Sequence, residues 1–268
     1  MASPVFREHI LQGRTAFITG GSSGICLRIA ERFAAQGARV MLNGRNPEKL
    51  AAAKQGIREA GGVADGRAAD VRDYAAIAQA LAETRAQWGE IDILICGAAG
   101  NFPAPVTGMS ANGFKAVMDI DVLGTFNACR AAHEHLRKPG ASIISISANH
   151  ASIAYPLQAH VCAAKAGVER LTQCLAVEWG PEGVRANLIN PGPIDDTEGM
   201  RRLAPTLEMR AAVEKTVPLR RMGTRDDVAD LALFLCSDAA AYLSGGVYHC
   251  DGGQALSGGR AFDQLLLK

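Results

Sequence analysis

The stretch that decides the fold reads Thr-Gly-Gly-Ser-Ser-Gly-Ile-Cys and spans residues 19–26. It follows a short apolar run at residues 14–19 and precedes residues 27–36, whose apolar positions have helical spacing. Glycines allow a tight turn that brings backbone N–H groups close to an anion at the start of a helix. We therefore predict a strand, a turn and a helix that hold the diphosphate of a dinucleotide. The residues expected to contact it are Gly20, Ser22, Ser23, Gly24 and Ile25.

Outward from this turn, apolar strands alternate with amphipathic helices along the chain. Continuous apolar runs are typical of strands buried on both faces, and right-handed crossovers join such strands into one parallel sheet. The sequence thus predicts an α/β fold, a single doubly wound, Rossmann-like domain with helices on both faces of the sheet. The domain is expected to span residues 1–268, with an N-terminal extension at 1–12 and a tail at 258–268. Strands are predicted at residues 14–19, 38–42, 63–69, 91–96, 141–146, 184–189 and 247–250, and the longest helices at 113–136 and 163–178.

The composition excludes several classes of protein. The 268 residues are 48% hydrophobic and 21% charged, with a net charge of +1, which indicates a globular protein and no nucleic-acid partner. No apolar run is long enough to cross a membrane. Seven scattered cysteines without a C-x-x-C pair indicate reduced thiols and no metal site. The last residues do not read Ser-Lys-Leu, so a cytoplasmic location is expected.

The end of the second strand predicts which coenzyme is bound. An acidic residue there would hold a free ribose hydroxyl, but the sequence reads Asn43-Gly44-Arg45. A guanidinium forms charge-assisted hydrogen bonds with phosphate, so Arg45 favours NADP, unless it is only a solvated loop residue. Asp70, followed by Val71, ends the third strand. It either accepts from the adenine amino group or caps the next helix.

These residues, with Lys165 and the stretches at 98–100 and 191–194, make the chain resemble the short-chain dehydrogenase/reductase family over nearly its full length. In that family a Ser, a Tyr and a Lys carry out carbonyl chemistry, and an Asn completes a proton relay. Lys165 matches, but Ala148, Val161 and Asp121 stand at the Ser, Tyr and Asn positions. Valine has no proton to donate, so an ordinary carbonyl reductase is not expected.

Residues 96–102, 118–127 and 176–181 resemble the 2,4-dienoyl-CoA reductases, the peroxisomal type most, because that type also lacks the Tyr and carries an Asp. This resemblance implies NADPH-dependent reduction of 2,4-dienoyl-CoA to 3-enoyl-CoA in unsaturated fatty acid β-oxidation, by a homotetramer with an acyl-CoA substrate. Two alternatives stay open. One is a reductase for another enoyl or carbonyl substrate, and the other is an inactive nucleotide-binding member.

The resemblance also implies roles for individual residues. Asp121 and Lys165 would organise proton delivery through a water, and Lys165 would hold the nicotinamide ribose. The further coenzyme contacts implied are Ala99, Pro191, Gly192, Ile194 and Thr197. The acyl-CoA contacts implied are Arg72, Phe102, Ser110, Asn112 and Arg202.

Four further positions, two histidines, a tyrosine and a cysteine, carry expectations of their own. His150 lies fifteen residues before Lys165 and is a candidate proton donor, or a group that orients the thioester oxygen, unless it is a loop residue facing solvent. His160 and Tyr155 are expected to pack around the substrate channel. Cys26 replaces the third glycine of the dinucleotide fingerprint, and two readings stay open: the small thiol fits with a slight shift of the helix, or it weakens nucleotide binding.

Overall fold

One sheet of parallel strands organises the computed structural model, which describes residues 6–259 except the side chains of residues 202 and 203. The strand order is β3-β2-β1-β4-β5-β6-β7, which confirms the predicted α/β fold. Every predicted strand begins and ends within two residues of the observed one. The strands are β1 Thr15–Thr19, β2 Arg39–Gly44, β3 Val63–Ala68, β4 Ile93–Cys96, β5 Ser142–Ile146, β6 Arg185–Pro191 and β7 Val247–Cys250.

Helices cover both faces of this sheet because the side chains of each strand point alternately to either side. Ile18 of β1 packs in one buried cluster with Phe33 and Leu233, whereas its neighbour Phe17 lies in the opposite cluster with Leu81 and Ala128. The α-helices of the described chain are α1 Gly24–Ala35, α2 Pro47–Glu59, α3 Tyr74–Trp88, α4 Ala111–Met118, α5 Gly124–Ala132, α6 Ala159–Trp179, α7 Glu198–Leu203, α8 Leu207–Thr216 and α9 Arg225–Cys236.

The long helix predicted over residues 113–136 is interrupted, and the prediction of one continuous helix is wrong. A π-helical turn, Asp119–Leu123, separates α4 from α5. Such turns insert an extra residue and often occur at functional sites. The turn contains Asp121, whose carboxylate contacts groups on two other elements. Tertiary contacts of that kind leave no trace in hydrophobic periodicity.

The strand order reverses beside β1, which places a crevice at the carboxyl ends of β1 and β4. The segment before β1 is part of the core rather than a separate arm: Leu11 is fully buried, and its N–H donates to Gln36 O at 3.0 Å. Residues 1–5 and most of the predicted tail at 258–268 lie outside the described residues. In the described part of the chain, no helix is both long and apolar enough to span a bilayer.

Candidate active site

A cleft of about 850 Å³ opens at the carboxyl ends of the strands. It has a backbone-lined end at the glycine-rich turn and extends past β4 and β5 to the segment that follows β6. Every residue for which the sequence predicts coenzyme contact lines this cleft. They are Gly20, Ser22, Ser23, Gly24, Ile25, Arg45, Asp70, Val71, Ala99, Lys165, Pro191, Gly192, Ile194 and Thr197.

The first turn of α1 is left available to an anion. The first backbone N–H groups of a helix have no partner inside it. In α2 and α3, Asn46 and Asp73 supply side-chain caps, but Ser23 makes no such bond and the first turn of α1 has no acidic residue. The partial positive charge of this helix end suits the diphosphate of a dinucleotide. The coenzyme therefore fits the residues that are present.

Close backbone approach explains Gly20 in this turn. Its φ is +68°, and a Cβ atom there would lie 2.9 Å from the carbonyl oxygen of Gly97. A side chain at this position would push the turn away from the end of β4. Glycine thus keeps the two backbone segments that line the cleft in contact.

Two cations stand at the end of β2, where the adenosine ribose would lie. Arg45 and Lys49 both line the cleft, and no ion pair of either is seen among the described residues. Asp70 faces the same region. Arg72 hydrogen-bonds to the Asp70 carboxylate through Nε at 3.0 Å and Nη2 at 2.6 Å, which holds the pKa of that carboxyl below its usual range.

The alternative role of Asp70 as a helix cap is wrong, because Asp73 caps α3 by accepting from Ala76 N. The position of Arg72 also bears on its expected contact with acyl-CoA. Its guanidinium is engaged by Asp70 at the coenzyme cleft. An arginine held by a neighbouring carboxylate has fewer donors left for a phosphate.

A buried ion pair forms the centre of the cleft. Lys165 Nζ lies 3.0 Å from Asp121 Oδ2 and donates to Ile146 O at 3.2 Å. The other carboxylate oxygen of Asp121 accepts from Gly100 N at 2.8 Å. Asp121 is almost fully buried, whereas Lys165 lines the cleft. An ammonium has three N–H donors, so Lys165 keeps donor capacity for a ligand beyond its hydrogen bond to Ile146 O.

The positions of the family Tyr and Ser carry no proton donor. Val161 is buried in an apolar cluster with Val117 and Ala164, and Ala148 presents a methyl group to the cleft. Ser147 is the neighbouring hydroxyl, but it donates to Glu169 Oε1 at 3.3 Å, on α6. The geometry therefore lacks the side-chain acid of a carbonyl reductase at this point.

His150 lies on the loop after β5, stacked on Tyr155 with ring centroids 4.2 Å apart. Burial, and then the positive charge of Lys165, lower its pKa to about 4. The imidazole is therefore neutral at pH 7 and offers a neutral N–H rather than an imidazolium proton. The expectation of a solvent-facing residue does not hold, because the ring is half-buried.

The predicted acyl-CoA residues do not form one group. Phe102, Ser110 and Asn112 meet at the start of α4, where Ser110 caps the helix by accepting from Gly113 N and Asn112 is exposed. A Cβ atom on Gly113 would lie 3.2 Å from the Phe102 ring, which places that ring against the helix. Arg202 belongs to α7, and its side chain lies outside the described residues.

The Cys26 side chain fills a space that the sequence did not reveal. A Cβ atom on Gly97 would lie 2.1 Å from Cys26 Sγ, so the glycine at the end of β4 makes room for the sulfur. The thiol is buried, and burial raises its pKa to about 12. Cys26 and Gly97 both line the cleft, so the glycine at the end of β4 leaves room for the sulfur at the cleft wall.

One polar network near the cleft was not predicted from the sequence. Asn149 is buried and donates from Nδ2 to Asp251 Oδ2 at 3.0 Å, and His249 Nδ1 lies 3.1 Å from Asn149 Oδ1. These bonds tie the loop that carries His150 to the turn after β7. The Asp-Gly-Gly stretch at residues 251–253, which follows β7, is the sequence feature that could have indicated this network. No cluster suited to a metal ion occurs within residues 6–259.

Comparisons with known proteins identify the family. A family described as Enoyl-(Acyl carrier protein) reductase matches residues 20–255. A solved short chain dehydrogenase from Bacillus anthracis is 41% identical with a TM-score of 0.83, over 90% of this chain and 96% of that one. The chain belongs to the short-chain dehydrogenase/reductase family. Membership implies that the cleft of this short-chain reductase takes a nicotinamide coenzyme.

Two curated relatives indicate the type of reaction within this family. The peroxisomal 2,4-dienoyl-CoA reductase of Danio rerio, named as (3E)-enoyl-CoA-producing, is 42% identical over 264 residues, 98% of this chain and 88% of that protein. A probable 2,4-dienoyl-CoA reductase of Bacillus subtilis, named as (2E)-enoyl-CoA-producing, is 40% identical over 92% of this chain and 98% of its own length. The short-chain reductase thus matches oxidoreductases that act on a CH–CH group.

The expected cytoplasmic location is contradicted by the same comparison. The Danio rerio relative and others of similar identity are named as peroxisomal, although the Bacillus subtilis relative is not. An organelle address is a short segment read by a receptor, so neither the fold nor the composition of this reductase determines its compartment.

Proposed function

We propose that this reductase uses NADPH to convert a 2,4-dienoyl-CoA into a 3-enoyl-CoA in the β-oxidation of unsaturated fatty acids. One observation carries the proposal: the cleft keeps the Asp121–Lys165 pair but has Val161 and Ala148 where a carbonyl reductase needs its Tyr and Ser. The curated relatives named as 2,4-dienoyl-CoA reductases match over nearly the whole chain and support it.

The missing acid agrees with the chemistry of a conjugated thioester. The coenzyme supplies a hydride when it is bound. The hydride acceptor is the δ-carbon of the diene, electron density moves to the thioester oxygen, and a proton then joins the α-carbon to leave the double bond between the β- and γ-carbons. No oxyanion forms beside the hydride acceptor. An apolar Val161 at that point is therefore compatible with this reaction.

Asp121 and Lys165 would provide the proton through a water. Lys165 lines the cleft and has N–H donors beyond its hydrogen bond to Ile146 O. Its ammonium would bind the nicotinamide ribose and the water, while the Asp121 carboxylate, 3.0 Å away, would hold it in place. Because the pair is buried, removal of either charge leaves the other without a partner.

The choice of NADP follows from charge at the end of β2. A 2′-phosphate placed beside Arg45 and Lys49 meets two cations, and the cleft carboxylate Asp70, which follows β3, is paired with Arg72. Phosphate contacts of this kind are charge-assisted and favour NADPH over NADH. The test is the ratio of kcat/KM for the two coenzymes with one substrate, and a preference for NADH refutes the assignment.

Further contacts belong to the acyl-CoA end of the site. Phe102, Ser110 and Asn112 at the start of α4 would contact the acyl-CoA, with Arg72 and Arg202 as cationic contributors. His150, neutral at pH 7, would serve as a hydrogen-bond donor rather than as an acid.

A homotetramer is proposed from exposed apolar side chains. Phe114, Leu123 and Phe126 lie along α4, the π-turn and α5, and each is about two-fifths exposed. Packing of these helices against a second copy would remove that surface from water. Light scattering on a sizing column measures the mass, and a monomer would contradict this proposal.

NADPH oxidation with 2,4-hexadienoyl-CoA tests the function directly. We expect loss of NADPH absorbance and, by chromatography, a 3-enoyl product. Matched assays with a saturated ketone and with a 2-enoyl-CoA act as controls. Activity with either control alone refutes the dienoyl assignment. Tight NADPH binding without any turnover would identify an inactive member of the family.

A further inference from the structure

A buried histidine on α6, the helix that carries Lys165, lacks a hydrogen-bond partner in the described part of the chain. His160 is fully buried, and neither of its ring nitrogens has a hydrogen-bond partner. Gln158, two residues earlier, is also buried, and its Oε1 has no partner. A polar group that is buried without a partner costs about 1 to 3 kcal/mol. A ligand that offers one hydrogen-bond acceptor and one donor at this helix start would satisfy both groups.

The same position is electrostatically suited to a developing negative charge. Gln158 is the N-cap of α6, and its side chain does not cap the helix, so first-turn N–H groups stay free of a side-chain acceptor. No acidic residue lies in that turn. An imidazole carries at least one N–H in any protonation state. The helix start and the His160 ring together favour an oxygen that gains charge during a reaction.

The ring of Phe102 packs against the ring of His160. Its ring centroid lies 4.4 Å from that of His160, while Phe102 itself is 37% exposed. Its segment is fixed to the start of α6, because Ala104 N donates to Leu157 O at 2.9 Å. Asn101, the residue before Phe102, lines the coenzyme cleft. A shift of the Phe102 ring would therefore uncover His160 next to a segment that lines the cleft.

We propose that His160 and Gln158 form the subsite for the thioester end of the substrate, and the proposal rests on the function given above. The His160 N–H donates to the thioester oxygen, which gains electron density as the δ-carbon accepts hydride. Gln158 Oε1 accepts from the amide N–H that the pantetheine arm carries two carbons beyond the sulfur. The donor and the acceptor thus match an acyl-pantetheine thioester. His160, not His150, holds the reacting oxygen.

The decisive variant is His160→Phe, which keeps a ring against Phe102 and removes the N–H. With 2,4-hexadienoyl-CoA we expect kcat to fall about a hundredfold, the loss usual for one donor to a developing oxyanion. The KM for NADPH should not change, and Tm should be equal or higher because an unpartnered polar group is gone. His160→Gln, which restores an N–H, should recover part of the activity. If Phe does not fit, His160→Leu repeats the test in a smaller volume.

Infrared spectroscopy measures the carbonyl stretching frequency of the bound substrate. This frequency would not change if His160 only stabilised the fold. The carbonyl stretch of hexadienoyl-CoA bound without NADPH should be lowered in the wild type and return to a higher frequency in His160→Phe. Gln158→Leu should weaken binding of the CoA thioester while leaving that of the S-ethyl thioester, which lacks the amide, unchanged. His135→Phe is the matched control, because His135 is also mostly buried with an unpartnered Nδ1 but follows α5, away from the cleft.

The outcomes separate the two proposals. Absence of dienoyl-CoA turnover by the wild type refutes the proposed function. Normal turnover by the wild type together with unchanged kcat and carbonyl frequency in His160→Phe refutes only the subsite. A loss of kcat in His135→Phe equal to that in His160→Phe would also overturn it, because the effect would then be one of folding.

Discussion

The contact between Cys26 and Gly97 predicts that a single methyl group at residue 97 disturbs the coenzyme cleft. In Gly97→Ala the new Cβ would lie 2.1 Å from Cys26 Sγ, far inside van der Waals contact. It would also lie 3.4 Å from Ile146 Cγ1 and 3.6 Å from Thr19 O. Either the sulfur and the start of α1 shift, or the end of β4 does.

Overpacking of this kind costs about 1 to 3 kcal/mol. In a chain of this size each kcal/mol lowers Tm by about 2 to 4 °C. The same shift moves Gly20, which contacts Gly97 O, so the KM for NADPH should rise while the KM for the thioester changes less. Thermal unfolding and steady-state kinetics of Gly97→Ala measure both effects.

The double variant Cys26→Ala/Gly97→Ala isolates the contact. Cys26→Ala alone removes the sulfur and should cost about 1 to 2 kcal/mol through the space it leaves. In the double variant the methyl group on residue 97 takes the place of the sulfur, so the two costs should not add. We expect a coupling of about 0.5 to 3 kcal/mol in favour of the double variant. The reasoning is refuted if Gly97→Ala alone has the Tm and coenzyme KM of the wild type, or if the two losses are additive.

Three further predictions concern the charges of the site. Arg45→Asp should raise the KM for NADPH about tenfold to a hundredfold and spare NADH, because a charge-assisted phosphate contact is replaced by repulsion; equal effects on both coenzymes would contradict it. Asp121→Asn should lower kcat about a hundredfold while fluorescence titration still shows NADPH binding, and an unchanged kcat would remove Asp121 from proton delivery. The pKa of His150 is lowered from 6.5 to about 4, so the folded state binds fewer protons than the unfolded state between these values, and the urea midpoint should fall as pH drops from about 6.5 to 4. His150→Phe should remove that slope, and a slope that persists would assign it to other groups.

The residues that the sequence assigns to the coenzyme come together in one cleft because their placement depends on local order. A glycine-rich turn between a strand and a helix has to lie at the carboxyl edge of a parallel sheet, so residue 20 and residues 22–25 line the cleft together with Arg45 and Asp70. The residues assigned to the acyl-CoA do not come together in this way. Phe102 and Ser110 meet at the start of α4, but Arg72 is paired with Asp70 in the coenzyme cleft. A residue's alignment with a family position does not determine which neighbour its side chain binds.

By itself, the sequence of this protein determined the strand and helix alternation, the parallel sheet and the glycine-rich turn between β1 and α1, because these follow from hydrophobic periodicity and backbone conformations over short stretches. Only the tertiary structure decided that a π-turn directs Asp121 to Lys165, that Gly97 accommodates Cys26 and that His160 is buried without a partner. Each of these depends on contacts between residues far apart in the chain. Such contacts are decided by how side-chain volumes and charges fit together in the packed core, which no local pattern records.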